Sequence, residues 1–278
     1  MAPCASQRSG RSGPRSPGSR AVILAVSHPD DAHAAPVMAA VARLGWRCVM
    51  LDLATLPGRT GLSFSAGRPR NGARFEGVDG EAIDAGEVAA VWWRRPRPYV
   101  ADPALSAAAA DFATTQVHAA LSGIWGSLRA GWVNDPWRDE RAAHKPAQLA
   151  AAEAVGLAVP PTLITCVPAQ ARAFLDELGE RPVVQKPLRP TEASWCPTRL
   201  LTEADRGRLD DLRLAPAILQ GYVAGTDVRV TAAGGRLIAT AIDARQTSSP
   251  HDFRPAFEQA RVEIVHRAVE EQHARLVG

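Results

Sequence analysis

Lysine is almost missing from this chain. It carries 32 basic residues, and all but Lys145 and Lys186 are arginine. Cysteine is scarce as well. The four residues Cys4, Cys48, Cys166 and Cys196 are scattered, which excludes both a disulfide framework and a metal-binding spacing. No apolar run approaches the roughly 20 residues that a membrane-spanning helix needs. The run at residues 21–26 is too short for the apolar centre of a signal peptide. A basic surface for nucleic acid is absent too. The net charge is +3, but residues 1–20 hold Arg8, Arg11, Arg15 and Arg20 and no acid, so the remaining body is slightly acidic. That Ser/Gly/Pro/Arg-rich tail is expected to be disordered. These absences point to a cytoplasmic protein with no membrane and no nucleic-acid partner.

The two lysines are then informative. In a composition this rich in Ala, Arg, Gly and Pro, a solvated surface lysine becomes arginine at little cost. A compact ammonium differs from a planar guanidinium where a single phosphate oxygen must be met from a confined direction. Lys186 ends the apolar stretch Pro182-Val183-Val184-Gln185-Lys186-Pro187, where an unpaired charge is costly. The plain alternative is two solvated side chains that survived by chance.

The chain of 278 residues is long enough for two domains or one large α/β unit. Residues 21–27 read as a buried strand, 31–44 as a helix stopped by Gly45, and 46–51 as a second strand. Strand, helix and strand with short connections imply a parallel βαβ unit. A hairpin is expected over 61–66 and 73–76, a strand over 88–93, an Ala-rich helix over 104–128 and a short strand over 132–134. After Pro136 a second unit begins. Its expected elements are one helix over 138–155 carrying Lys145, strands at 162–165, 183–186, 199–201 and 217–223, a helix at 169–178, a helical turn at 203–209, a hairpin around Gly234-Gly235, and a helix at 267–276.

Ser27-His28-Pro29-Asp30-Asp31 lies between a strand and a helix. It resembles the zinc-binding start of the de-N-acetylases related to the sugar-phosphatidylinositol deacetylase. That resemblance implies His28 and Asp31 as ligands and Asp30 as base. A third protein ligand is needed, and the downstream His-x-x-His of those enzymes is absent. The alternative is a helix start, with Asp30 or Asp31 on free backbone N–H groups.

A longer set of motifs runs in consistent order through residues 132–254. It comprises Trp132-Val133-Asn134-Asp135-Pro136, Arg141 to Leu149 with Lys145 and Gln148, Gly156-Leu157-Ala158-Val159-Pro160-Pro161-Thr162, Val184-Gln185-Lys186-Pro187, Ile218-Leu219-Gln220-Gly221-Tyr222-Val223, Asp227-Val228-Arg229-Val230 and His251-Asp252-Phe253-Arg254. Val91-Trp92-Trp93-Arg94-Arg95-Pro96 and the stretch from Leu51 to Pro57 precede them. Together they resemble ATP-grasp ligases of the ribosomal-protein-S6 glutamate-ligase type, and most of all the macrocyclases that mature graspetides, the microviridin-like peptides.

That resemblance implies an ATP-grasp α/β fold. It implies a pre-ATP-grasp α/β domain at 21–135 and an ATP-grasp domain at 136–278, with its small lobe to about 219 and an incomplete large lobe at 220–278. It implies ATP, Mg²⁺ and a precursor peptide with leader and core as reaction partners. The activity implied is ligation of a carboxylate to an amine or hydroxyl through an acyl phosphate. By the same resemblance, Lys145 and Lys186 reach the α- and β-phosphates. Gln220, Gly221, Tyr222 and Val223 line adenine, with the Gly221 carbonyl and Val223 N–H reading its edge. Asp227 takes the ribose hydroxyls, Arg229 the substrate carboxylate or acyl phosphate, and Arg254 the terminal phosphate. The plain alternatives are a core strand for 217–223, a turn residue for Asp227 and exposed strand arginines for the other two.

Two departures from the pattern stand out. Gly221 replaces the glutamate usual in the adenine-lining segment. The Asp and Glu-x-Asn that hold magnesium in relatives are expected past Gly278, so this sequence supplies no metal ligands. A truncated ligase with weak or no turnover is the expectation. The alternatives are a nucleotide- or peptide-binding platform, and a zinc hydrolase using His28 and Asp31.

Overall fold

The computed structural model describes residues 20–67, 72–78, 80–189, 196–252 and 254, and the backbone of 261–265. The tail before Arg20 and the helix expected at 267–276 lie outside the described residues. The chain divides into two compact units, Met1–Glu140 and Arg141–Gly278.

The first unit is built on a parallel sheet. β1 (Val22–Val26), α1 (Ala34–Arg43) and β2 (Arg47–Leu51) form the βαβ unit expected from the sequence. An antiparallel sheet follows, of β3 (Gly61–Ser65), β4 (Gly72–Val78) and β5 (Glu81–Asp84). Its third strand was not expected: Glu81-Ala82-Ile83-Asp84 is short and half polar, and becomes a strand only by pairing. Gly77 has to be glycine, because its φ is +79° and a Cβ there would stand 2.8 Å from the Arg59 carbonyl oxygen. Next come β6 (Val88–Trp93), α2 (Ala107–Ser127) and β7 (Gly131–Val133), completing a parallel sheet in the order β2-β1-β6-β7. Val22, Leu24, Val26, Leu51 and Val91 project from it into a core shared with Phe75, Leu121 and Trp125.

α3 (Pro136–Ala143) and α4 (Lys145–Ala154) replace the single helix expected over 138–155. Pro146 is the reason. In a continuous helix its ring would clash with the carbonyl of Ala142, and it offers that carbonyl no N–H. The break falls at His144, whose ψ of 118° is extended.

The second unit carries β8 (Thr162–Thr165), α5 (Pro168–Leu178), β9 (Val183–Lys186), β10 (Arg199–Leu200), α6 (Glu203–Arg206) and β11 (Ala217–Gly221). Its four-stranded sheet has the order β10-β9-β11-β8, with β11 antiparallel to both neighbours. One face buries Val183 and Leu219 against Ala171 and Leu175 of α5 and against Leu209 and Leu212. β12 (Asp227–Ala233), β13 (Arg236–Asp243) and β14 (Arg261–Val265) form a second antiparallel sheet. Gly234 and Gly235, both at positive φ, make the two-residue turn between β12 and β13.

β11 is shorter than the strand expected over 217–223, and two prolines set its end. The Gly221 N–H donates to the Pro161 carbonyl at 2.9 Å, and the Tyr222 N–H donates to the Pro182 carbonyl at 2.8 Å. Neither proline has an N–H to return. The Gly221 and Tyr222 carbonyls therefore receive no ladder bond, and pairing stops on both sides within one residue.

Candidate functional site

Cross-strand register puts Lys186, Gln220 and Thr162 on one face of the β10-β9-β11-β8 sheet, opposite the face that packs on α5. The three side chains form a chain of hydrogen bonds. The Lys186 ammonium donates to Gln220 Oε1 at 2.7 Å, Gln220 Nε2 donates to Thr162 Oγ1 at 2.6 Å, and the Thr162 hydroxyl donates to the Pro160 carbonyl at 2.7 Å. Burial, and the positive charges of Lys145 and Arg254, hold the Lys186 pKa below the ordinary lysine value. Lys145 and Arg254 thus both lie within electrostatic reach of Lys186.

Lys145 opens α4 and makes a matching contact. Its ammonium donates to Gln148 Oε1 at 3.0 Å, and Gln148 Nε2 donates to the Ala142 carbonyl at 2.6 Å. Pro146 is what leaves that carbonyl available. Arg254 forks onto Asp252, with Nε at 2.7 Å and a terminal nitrogen at 2.5 Å. Asp252 is only 5% exposed and also accepts the Thr198 N–H at 3.1 Å, which ties the start of β10 to the arginine. Burial raises the Asp252 pKa, but Arg254 and the Thr198 N–H outweigh it and hold the carboxyl below its ordinary value. Sequence reasoning picked Arg254 and missed the buried acid two residues before it.

The other expected site residues are less converged. Tyr222 follows β11 and meets the His251 ring edge-on at 5.2 Å between centroids, and Val223 is exposed. Asp227 and Arg229 both lie on β12, opposite Ile242 and Thr240, and both are exposed. A Cβ at Gly221 would meet Arg181 and Pro161 at ordinary contact distance, so nothing in the backbone demands glycine there. A cavity of about 360 Å³ is bordered by Lys186 together with Gln185, Arg199, Asp205, Leu209 and Leu219.

In the first unit, the residues after β1 and β6 satisfy one another. Asp31 is fully buried. It accepts the Ser27 hydroxyl at 2.9 Å and the His33 N–H at 3.2 Å, and pairs with Arg94 at 3.2 Å. Burial raises its pKa, while these donors and the charge of Arg95 lower it further, for a net fall. Arg97 forks onto Asp52 and reaches Asp30 at 3.3 Å. Asp31 is therefore a structural anion at the approach to α1. Among the described residues no group of three or more His, Cys, Asp or Glu stands together to hold a metal.

Residues 22–140 match the family model described as the MvdD pre-ATP grasp domain. No curated protein matches the chain. Among solved structures, it is similar to macrocyclase MdnC bound with precursor peptide MdnA from Microcystis aeruginosa MRC. The identity is 21% and the TM-score 0.79, over 92% of this chain and 82% of that one. It is similar to a Chryseobacterium gregarium RiPP-associated ATP-grasp ligase in complex with ADP and a leader and core peptide. There the identity is 20% and the TM-score 0.77, over 92% and 80% of the two chains. It is also similar to ATP-grasp ligase PsnB complexed with minimal precursor, at 26% identity and a TM-score of 0.67 over 92% and 80%.

Proposed function

From the premise that this is an ATP-grasp chain with an MvdD-type pre-ATP-grasp domain at residues 22–140, we propose that it is an ATP-dependent ligase of a ribosomally made precursor peptide. It joins a side-chain carboxylate to an amine or hydroxyl. The observation that carries this reading is half-buried Lys186, held by Gln220 and Thr162 on one face of the small sheet, with the charges of Lys145 and Arg254 acting on it. A lysine whose acceptor is a neutral amide, with two further cations acting on it, fits a polyphosphate. Solved proteins of the same fold carry precursor peptides with ADP or AMPPNP, which agrees with the reading.

In the reaction proposed, a peptide carboxylate oxygen attacks the γ-phosphorus of ATP and ADP leaves. The peptide nucleophile then attacks the acyl carbon, phosphate leaves, and the nucleophile's proton is released. Lys145 and Lys186 donate to phosphate oxygens throughout, so they stabilise negative charge without taking or giving a proton. Arg254, held in place by Asp252, meets the terminal phosphate. The unreturned carbonyl of Gly221 and the N–H of Val223 offer an acceptor and a donor to the adenine edge, and a side chain at position 221 is not needed for either. Asp227 and Arg229 are assigned the ribose and the acyl carboxylate. Mg²⁺, where bound, would neutralise part of the phosphate charge.

The test is ADP release on adding ATP and a candidate precursor peptide, with loss of one water from the peptide read by mass spectrometry. Lys186→Met abolishes both on this reading. ATP binding with no ADP release under any peptide would instead favour a binding platform.

A further inference from the structure

The two lysines share a device. Each gives a hydrogen to a glutamine Oε1, and each glutamine is anchored through its Nε2 on a fixed acceptor. We propose that Gln148 and Gln220 are positioning residues that aim the Lys145 and Lys186 ammoniums, and that Pro146 and Thr162 fix the direction of the two amides. The proposal rests on the reading that these lysines meet ATP, and adds what holds them ready.

The direction of each amide follows from its anchor. The Pro160 carbonyl can only accept, so the Thr162 hydroxyl proton is spent on it. Thr162 Oγ1 is then left as an acceptor toward Gln220, which must turn its NH₂ to Thr162 and its oxygen to Lys186. At the other site, Ala142 has lost its helical partner to Pro146, so its carbonyl takes the NH₂ of Gln148 and the oxygen faces Lys145. Either amide reversed would set a donor against an ammonium. A neutral amide also has an advantage over a carboxylate here: it restrains the lysine without cancelling the charge that a phosphate needs. One hydrogen of each ammonium is occupied, and two remain for ligand oxygens.

The experiment uses the full chain with lysine labelled at Cε and Nζ. Only two lysine side chains exist, so two signals are expected. Thr162→Val should move the Lys186 signal and bring its titration to lower pH, since Gln220 loses the anchor that holds its oxygen on the ammonium. Thr162→Ser should restore it, and the Lys145 signal should stay. Gln148→Leu, at an exposed position, should move only the Lys145 signal. ATP affinity by calorimetry should weaken about three- to tenfold in Thr162→Val and in Gln148→Leu, and recover in Thr162→Ser. Unchanged lysine signals in both variants would overturn the proposal. Shifted signals in a chain that never binds ATP would keep the lysine–glutamine device and reject the nucleotide reading. Wild-type ATP affinity in Thr162→Val with a shifted Lys186 signal would overturn the claim that the aim of Lys186 matters for the ligand.

Discussion

Asp31→Asn is the sharpest test of how the first unit is held together. The carboxylate accepts from three directions, with Oδ2 serving Ser27 and Arg94 and Oδ1 serving His33. An asparagine has one acceptor and one donor at those two positions. If its oxygen replaces Oδ2, its NH₂ confronts the His33 N–H. If it replaces Oδ1, its NH₂ confronts Arg94. Either way one donor loses its partner and Arg94 loses its counter-charge. Breaking a buried pair by removing one partner costs about 3–5 kcal/mol. The Arg94 side chain is 30% exposed, so water recovers part of that. We expect about 2–3 kcal/mol, or roughly 10 °C in the melting of this unit. The assay is thermal unfolding followed by tryptophan emission, since Trp93, Trp125, Trp132 and Trp137 pack together here. The pH dependence has a definite sign. The folded pKa of Asp31 lies below its unfolded value, which is about 3.9. Its contribution is therefore complete above the unfolded value and is lost as pH falls through the folded one. Wild type and variant should be far apart at neutral pH and draw together in acid. A variant that melts with wild type at neutral pH, or a gap that does not narrow in acid, refutes the reasoning. A zinc-induced rise in melting temperature that vanishes in the variant would revive the hydrolase reading.

Three further outcomes are expected. Gly77→Ala should lower the melting temperature through a loss of about 2 kcal/mol or more, because the new Cβ meets a backbone carbonyl at positive φ; a melt within a degree or so of wild type would count against that contact. ATP affinity should fall as pH rises through the lowered titration of Lys186, and in Lys145→Met that fall should move to higher pH, because a repelling charge is gone; no movement of the profile would mean the lysines do not sense each other. Cys48, whose thiol burial pushes up to about 11, should react with an aromatic disulfide reagent on the order of a hundredfold more slowly than exposed Cys166 and Cys196. Loss of a fast phase in Cys48→Ser would contradict this.

The order of the elements could be read from the sequence because the sheet strands are continuous apolar runs. Val22–Val26 and Val88–Trp93 are examples, and each is followed by a turn residue or a helix start. The lysines were legible by rarity. Three things were not. The β11 boundary is decided by Pro161 and Pro182, which are remote from it in sequence, so its own residues carry no stop signal. The division between α3 and α4 was signalled by Pro146, but the capture of the freed Ala142 carbonyl by Gln148 emerges only in three dimensions. Thr162 and Asp252 stand within the ordered motifs, but their roles are given only by their contacts with Gln220 and Arg254. The Asp30-Asp31 pair shows the opposite hazard: a motif with the look of a metal site whose second acid is already satisfied by Ser27, His33 and Arg94.

The prolines that end β11 have a mechanical corollary. Past Tyr222 the connection to β12 holds no rung of either ladder, and it passes through Gly225 at a φ of +155°. The β12–β14 sheet can therefore swing about residues 223–226 without breaking any interstrand bond, and on the proposed reading an opening that admits a nucleotide would give up the Thr198–Asp252 bond rather than a rung of either sheet.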